Sequence, residues 1–384
     1  MAALDTHLAA ALERIDARHE RRRLNPAALM PDGRLERGGA TLIDFSSNDY
    51  LGLACHPLLI ERSAEWAARH GAGAGASRLV TGTHEAHLAV EARIAAFKGA
   101  EAALLFPSGW HCNAAVLAAL LKAAPGTLLF TDKLIHASLH AGAAGHRQIR
   151  FRHNDLDHLE ELLAANDGAP RLIVTESVFS MDGNRADLAR LLALAKAHDA
   201  FLYIDEAHAT GVLGPEGRGL SAEHPGADLV MGTFSKAMGC FGAYVAGSRL
   251  LIDYLVNSCG GFIFSTAPPP AMLGAIDAAL ELVPGMDAER ARLARHGEHL
   301  RARLNAAGIG TAESSTQIVP AIVGEAEAAL ALAAALAGDG LLAAAIRPPT
   351  VPPGTSRLRL ALRATHSEDD IDQLADAIVA RMAP

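Results

Sequence analysis

The chain has 384 residues, of which 50% are hydrophobic, 20% charged and 4% aromatic, and its formal net charge is −9 at pH 7. This length and composition predict a globular protein with a large and a smaller domain. An acidic chain argues against nucleic-acid binding, which needs a basic surface. The longest small and apolar run, 328–338, is about half a membrane span, so we expect a cytoplasmic protein without a membrane partner.

The first 40 residues predict a charged helix followed by a connector. The helical pattern runs to Asn25-Pro26 and closes with Arg21-Arg22-Arg23, because a proline ends a helix. Acidic residues interrupt it, which is unlike an export or transit signal. The four cysteines include no C-x-x-C pair, and we expect them to be reduced thiols.

Helical and strand-like stretches alternate from residue 86 to residue 247. We predict helices at 86–97, 111–122, 156–166 and 187–198. We predict strands at 102–106, 127–131, 171–176, 201–205, 228–233 and 243–247. These strands are continuous apolar runs, which indicates a mostly parallel sheet with helices on both faces. The expected fold class is therefore α/β.

The pattern changes after Pro268-Pro269-Pro270, where the chain becomes mainly helical. From residue 286 onward, long helices rich in Ala, Arg and Glu alternate with weaker strands. We therefore expect a large domain at 41–285 and a smaller C-terminal α/β domain at 286–384, after the N-terminal helix and connector at 1–40.

Polar residues follow the predicted strands at their carboxyl ends, which is where α/β sheets bind ligands. Gly109 and Trp110 begin a helix, and a helix N-terminus can hold a phosphate. Asp205 ends a strand, and His208 follows three residues later. Lys236 comes after the next strand; a desolvated lysine can lose its proton and act as a nucleophile or base.

Other classes of protein need features that this sequence lacks. Asp205-Glu-Ala-His also names a helicase motif, but no G-x-x-x-x-G-K-[ST] phosphate loop is present. There is no G-x-S-x-G serine elbow and no metal-binding spacing of histidines. Pyridoxal 5'-phosphate (PLP) gives each of the polar residues at the strand ends a partner. Its phosphate would bind at the helix N-terminus, its aldehyde would react with Lys236, and its pyridine nitrogen would pair with Asp205.

Five longer motifs accompany these residues. They are Phe45-Ser-Ser-Asn-Asp-Tyr-Leu-Gly-Leu, Ser180-Met-Asp-Gly, Asp205-Glu-Ala-His-Ala-Thr-Gly, Thr233-Phe-Ser-Lys-Ala and Ile346-Arg-Pro-Pro-Thr-Val-Pro-Pro-Gly-Thr-Ser-Arg-Leu-Arg-Leu. From about residue 21 to residue 382, the chain resembles the α-oxoamine synthases, a family of fold-type I PLP-dependent transferases. Trp110 and Ala209 depart from the commonest family sequence without removing a chemical role. The motif at 346–352 is most similar to members that make 8-amino-7-oxononanoate for biotin.

The resemblance implies a role for each cofactor-site residue. Lys236 would hold PLP as a Schiff base and later act as general base, while Asp205 would hold the pyridinium. His208 would hydrogen-bond the phenolic oxygen. The other expected cofactor contacts are Gly109, Trp110, His136 stacking on the ring, Ser180, Thr233 at the phosphate, and Thr266 reaching the neighbour's phosphate in a homodimer.

The same resemblance implies the substrates, L-alanine and a pimeloyl thioester, which would condense with loss of CO₂ and of the carrier thiol. The carrier would be CoA or an acyl carrier protein. Arg359 and Asn48 would bind the alanine carboxylate, since arginine offers a bidentate fork. Thr350 and one N-terminal arginine, Arg22 in preference to Arg21, would meet the acyl donor.

Three alternatives stay open at this point. The first is a glycine C-acetyltransferase or another α-oxoamine synthase with a different pair of substrates. The second is a catalytically silent subunit, which would be expected to lack Lys236, Asp205 or His208. The third is an ordinary aminotransferase, which would need an oxo-acid acceptor.

Overall fold

The computed structural model describes residues 3–17, 21–22 and 24–382. Helix α1 spans Ala3–Ala17. The sequence predicts a helix up to residue 25, but Arg21 and Arg22 have irregular backbone, so that prediction is too long. Arg23 lies outside the described residues. The apolar side chains of α1 are largely exposed, so little tertiary packing is available to extend the helix.

Three short strands follow α1 where the sequence predicts a connector. They are β1 (Ala28–Leu29), β2 (Leu35–Arg37) and β3 (Ala40–Asp44). The three strands pair antiparallel in chain order. This small sheet leads the chain into the main body of the protein.

A seven-stranded sheet forms the centre of the fold. Its strands are β4 (Ala102–Phe106), β5 (Leu128–Asp132), β6 (Gln148–Phe151), β7 (Arg171–Glu176), β8 (Ala200–Asp205), β9 (Leu229–Thr233) and β10 (Ala243–Gly247). The order is β4-β10-β9-β8-β7-β5-β6. Strand β10 pairs antiparallel with β4 and β9, and the other four pairs of neighbouring strands are parallel, so the prediction of a mostly parallel sheet is confirmed. Strand β6 was not predicted, because its polar residues interrupt the apolar pattern.

Nine helices of the described chain accompany this sheet. They are α2 (Pro57–His70), α3 (Glu85–Lys98), α4 (Gly109–Ala123), α5 (Ala137–Gly142), α6 (Leu156–Ala165), α7 (Leu188–Ala197), α8 (Arg249–Ser258), α9 (Gly260–Ile263) and α10 (Pro270–Leu282). Alternate residues of the strands enter two hydrophobic clusters: Ile173 and Leu202 pack in one, Val174 and Tyr203 in the other. Burial on both faces explains the continuous apolar runs.

The C-terminal part adds a second, smaller α/β layer. Its elements are α11 (Asp287–Ala306), β11 (Ile318–Gly324), α12 (Ala326–Gly338), β12 (Leu341–Leu342), β13 (Ala344–Ile346), β14 (Ser356–Ala361) and α13 (Glu368–Met382). Strands β11, β14 and β13 form an antiparallel sheet in that order. Strand β12 instead pairs in parallel with β3, so the two ends of the chain share one sheet.

The parallel strands bring their last residues to one edge of the central sheet. Glu176 and Asp205, the final residues of β7 and β8, are direct partners in the register, so their side chains leave the sheet on the same face. Helix α4 begins just beyond β4. None of the helices in the described part of the chain is long and apolar enough to cross a membrane.

Candidate active site

A cavity of about 220 Å³ lies at this carboxyl edge of the sheet. Seven residues that the sequence predicts for the site line it together: Gly109, Trp110, His136, Asp205, His208, Thr233 and Lys236. They come from four separate stretches of the chain, around residues 109, 136, 205 and 233. Strand order therefore gathers into one cavity groups that are far apart in sequence.

Lys236 lies in the turn after β9 and lines the cavity. Burial lowers the pKa of its amine from 10.5 to about 8, although the carboxyl groups of Asp205 and Glu176 oppose this shift. Removing an ammonium from water disfavours its charged form. Lys236 is therefore a lysine whose neutral, nucleophilic form is accessible near neutral pH.

Both oxygens of the Asp205 carboxylate have hydrogen-bond donors. The amide nitrogen of Asn113 donates to Oδ2 at 2.7 Å, and the backbone N–H of Ala207 donates to Oδ1 at 2.9 Å. Asn113 is itself fixed, because it donates to Ser138 at 3.0 Å and accepts from the Tyr203 hydroxyl at 2.7 Å. This network holds a buried anion that faces the cavity, which is what a pyridinium nitrogen requires.

His136 precedes α5 and borders the cavity on another side. Its Nδ1 hydrogen-bonds the hydroxyl of Ser138 at 2.7 Å, and its ring meets that of Trp110 edge to face with centroids 6.0 Å apart. Burial lowers the pKa of His136, and the Lys236 charge lowers it further, while Asp205 opposes them. The result is an oriented imidazole suited to contact an aromatic ligand.

His208 connects the cavity to the C-terminal sheet. Its Nδ1 lies 2.7 Å from the Tyr50 hydroxyl, which is 3.0 Å from Oδ1 of Asn48. Arg359 of β14 donates to Asn48 at 3.1 Å, to Tyr50 at 3.4 Å and to the carbonyl of Ser180. Burial, together with the charges of Lys236 and Arg359, holds the pKa of His208 well below its usual range.

The N-terminus of α4 supplies an anion-binding end. Ser108 caps the helix by accepting from the His111 N–H at 3.2 Å, and the first N–H groups of a helix have no partner within it. A Cβ at Gly109 would lie 3.2 Å from the Met231 side chain, so a larger residue would crowd the cavity. Thr233 donates to the Gly242 carbonyl at 2.9 Å, which fixes its hydroxyl at the same end.

A second cavity of about 990 Å³ shares His136 with the first. Ser180 and Thr350 line it, together with apolar residues that include Leu134, Phe179 and Met181. Three of the predicted site residues, His136, Ser180 and Thr350, therefore line this larger space. Its size and apolar walls suit a flexible chain.

Five of the predicted site residues line neither cavity: Arg21, Arg22, Asn48, Thr266 and Arg359. Arg21 and Arg22 are exposed, and Arg21 pairs with Asp16 at 3.3 Å. Thr266 is exposed in an extended segment that bridges to Ser77. The roles predicted for these residues, like those of all the other predicted site residues, stay predictions.

Several polar groups of the site were not predicted. Glu176 and Asn113 line the first cavity, and Tyr50 joins His208 to Arg359. Glu176 could have been predicted, because it is an acidic residue at the end of an apolar strand, as Asp205 is. Asn113 and Tyr50 gave no signal, because only packing shows which way their side chains point.

The cavity offers an amine, a carboxylate and a helix N-terminus, and each matches one functional group of PLP. Glu176 adds a buried oxygen, Oε1, that has no hydrogen-bond partner among the described residues. These groups fit PLP. Among the residues that the structure describes, no group of three or more His, Cys, Asp or Glu side chains could hold a metal ion.

Comparison with known proteins decides the family. The family model of aminotransferase class I and II matches residues 40–378. A putative 8-amino-7-oxononanoate synthase of Bordetella pertussis is 65% identical over 99% of this chain and 98% of its own length. The chain belongs to the 8-amino-7-oxononanoate synthase family. An 8-amino-7-oxononanoate synthase of Gluconacetobacter diazotrophicus is 59% identical over 98% of this chain and 97% of its own.

Solved structures confirm the fold-type I architecture of this synthase family member. A serine palmitoyltransferase of Sphingomonas wittichii has a TM-score of 0.91 at 28% identity and covers 99% of this chain and 98% of its own. A serine palmitoyltransferase structure with PLP has the same TM-score, identity and coverage. The 8-amino-7-oxononanoate synthase of Francisella tularensis has a TM-score of 0.78 at 26% identity over 88% of this chain and 97% of its own. The family and these structures indicate dependence on PLP.

Proposed function

We propose that the protein condenses L-alanine with a pimeloyl thioester, releasing CO₂ and the free thiol, to make 8-amino-7-oxononanoate for biotin. The observation that carries this proposal is the gathering of Lys236, Asp205 and His208 around one cavity that adjoins a larger apolar one. The first cavity suits PLP and an amino acid, and the second suits an acyl chain.

Lys236 is the residue that would hold PLP as a Schiff base. The lowered pKa of its amine supports this role, because only a neutral amine attacks an aldehyde. The same amine, when free, would accept the α-proton of alanine as general base. PLP, when bound, supplies an electron sink for the negative charge that this proton loss leaves on the substrate.

The remaining cofactor residues orient PLP and set its charge. Asp205, fixed by Asn113, would hold the pyridine nitrogen in its protonated form. His136 would pack on the ring, and His208 would hydrogen-bond its phenolic oxygen. Gly109, Trp110 and Thr233 would surround the phosphate at the N-terminus of α4, with Ser180 near the ring.

Arg359 and Asn48 would bind the carboxylate of alanine. Arg359 is 6% exposed, and its guanidinium is held by Asn48, Tyr50 and the Ser180 carbonyl. A guanidinium held in this way can present its donors to a carboxylate without further ordering. Because Tyr50 also contacts His208, the amino-acid site and the cofactor site share one network.

The larger cavity would receive the pimeloyl chain, with Thr350 on its wall. Either Arg22 or Arg21 would meet the acyl donor from outside this cavity, and an arginine is suited to the second carboxylate of a pimeloyl group. The donor would carry CoA or an acyl carrier protein.

We also infer a homodimer. Thr266 and the neighbouring Phe264, which is 86% exposed, are both accessible in the single chain. A partner subunit would cover this apolar side chain and receive Thr266 at its phosphate site. Light scattering combined with gel filtration tests this, and a monomeric mass for active protein would contradict it.

The deciding experiment measures free thiol released by the PLP-loaded protein from pimeloyl-CoA or pimeloyl carrier protein, with L-alanine or glycine. Acetyl-CoA with glycine tests the glycine C-acetyltransferase alternative, and Lys236→Ala is the inactive control. We expect release with L-alanine and a pimeloyl donor. Release only with glycine and acetyl-CoA, or none with any pair, would overturn the proposal.

A further inference from the structure

Glu176 is a buried carboxylic acid that the proposed chemistry leaves without a task. It is the last residue of β7, is 3% exposed and lines the PLP cavity. Its Oε1 has no hydrogen-bond partner among the described residues. A buried polar oxygen is nearly always paired in a folded protein, so an unpaired one that borders a cavity indicates a ligand contact.

The charged and titratable groups around Glu176 come from four directions. Asp205 is its register partner on β8, Lys236 follows β9, and Asp132 ends β5. His136 stands before α5, and its backbone N–H hydrogen-bonds the Glu176 carboxyl group. Two carboxyl groups at neighbouring strand ends therefore share a small cavity with one lysine.

This environment favours the protonated acid. Burial raises the pKa of Glu176 well above 4.5, and the nearby charge of Asp205 raises it further, against the opposing effect of Lys236. Two carboxylates that share a desolvated site rarely both ionise. Asp205 has two hydrogen-bond donors that stabilise its charged form, whereas one oxygen of Glu176 has none.

We propose that Glu176 is a positioning residue for PLP, which stays protonated beside Asp205 and donates its otherwise unpaired O–H to the bound cofactor. The oxygen that accepts from the His136 N–H fixes the carboxyl group, and Oε1 carries the hydrogen. A neutral Glu176 also keeps a second negative charge out of the cavity, and such a charge favours the ammonium form of Lys236. This inference rests on PLP binding by this chain.

Two substitutions separate this role from a structural one. Glu176→Gln replaces the neutral acid by a neutral amide of nearly the same shape that can still donate. Glu176→Ala removes the group. Each apoprotein is titrated with PLP to obtain Kd, the bound PLP spectrum is titrated with pH, and the Tm of the apoprotein is compared with wild type. Asp205→Asn serves as the control that should shift the spectral titration.

We expect Glu176→Gln to keep Kd within about twofold, and Glu176→Ala to raise Kd about tenfold, which is the loss of one hydrogen bond. The midpoint of the spectral titration in Glu176→Gln should match wild type. A midpoint shifted by about one unit would mean that Glu176 is ionised, and a wild-type Kd in Glu176→Ala would mean that it does not contact PLP. Either result overturns the inference. Wild-type protein that binds no PLP would instead refute the proposed function.

Discussion

Burial changes the chemistry of Lys236 more than any contact with a single neighbour. In water its amine would be almost wholly protonated at neutral pH, whereas in the cavity its pKa falls to about 8. The folded protein therefore binds this proton less tightly than the unfolded chain does. An amine with this pKa has an appreciable neutral fraction near neutral pH.

The rate of PLP attachment should report this shift. We expect the second-order rate constant for attachment to the apoprotein to rise with pH up to about 8 and then to level off, because only the neutral amine reacts. Stopped-flow absorbance measures it, with Lys236→Ala as the control that shows no attachment. A rate that continued to rise towards pH 10.5 would contradict the assignment.

Asn113 should affect PLP binding almost as strongly as Asp205, the residue whose carboxylate it holds. In Asn113→Ala, Oδ2 of Asp205 loses its 2.7 Å donor and stays buried. We expect PLP to bind roughly tenfold to a hundredfold more weakly, since an unpaired buried group costs about 1–3 kcal/mol. Asn257→Ala, at an exposed asparagine that donates to the Asp253 carbonyl, is the matched control. Equal PLP affinity in the two variants would refute this role.

The sequence predicted a site residue only where its position at the end of a strand was enough to locate its side chain. Lys236, Asp205 and His208 follow buried strands, and strand ends meet at one edge of a parallel sheet, so their gathering could be predicted. Asn113 reaches Asp205 from the first turns of α4, and Tyr50 reaches His208 across 158 positions of sequence. Such contacts depend on how helices and loops pack, which apolar periodicity does not specify.

Among the secondary-structure elements, the turn after β7 shows why the Ser180-Met-Asp-Gly motif ends in glycine. Gly183 has a φ of +69°, and a Cβ there would lie 2.0 Å from the backbone oxygen of Ile318 on β11. Its carbonyl accepts from the Thr316 hydroxyl at 2.8 Å and from the Ser315 N–H at 3.1 Å. The motif glycine thus lets the central sheet contact the C-terminal one.

Gly183→Ala should therefore destabilise the protein by roughly 2–5 kcal/mol, the sum of left-handed backbone strain and overpacking against backbone. Gly168→Ala is the matched control, because Gly168 also has a positive φ, +84°, but nothing lies within 4 Å of its Cβ position. It should cost only about 1–2 kcal/mol. Urea unfolding measures both, and equal losses would show that close packing at Gly183 is unimportant.

Elements with a strong apolar pattern were predicted nearly to the residue, and weakly patterned ones were not. All six strands predicted between residues 102 and 247 are present. β6 was missed, since Gln148 and Arg150 interrupt its pattern. The N-terminal helix was predicted too long, because Arg21 and Arg22 are exposed and lack the packing that would hold them in a helix. The domain boundary at 285/286 stays a prediction.

For the molecule as a whole, two buried histidines link folding to pH. Nδ1 of His87 accepts the His84 N–H, and its Nε2 contacts the Pro268 carbonyl at 2.9 Å. His366 bonds the Arg363 N–H and the Asp44 carbonyl in the same way. Burial first, and nearby arginine charge second, lower the pKa of His87 to about 4 and of His366 to about 3.

Each lowered pKa makes the folded state bind a proton less readily than the unfolded chain, whose histidines titrate at 6.5. Stability should therefore fall as pH drops below 6.5, and at pH 5 each histidine costs about 2 kcal/mol. Urea unfolding of PLP-saturated protein at pH 7 and pH 5 measures the loss. His366→Asn should lose about 2 kcal/mol less than wild type between these pH values, and an identical loss would contradict the linkage.

The network that joins His208, Tyr50, Asn48 and Arg359 draws on both ends of the chain and on its middle. The network therefore forms only when compatible residues occupy positions 48, 208 and 359 of the same chain. A chimaera of two relatives with a crossover between positions 51 and 358 would combine network residues from different parents. Recombination at the apparent boundary between the large and small domains would thus mix the two halves of one network, and the domains would not behave as interchangeable modules.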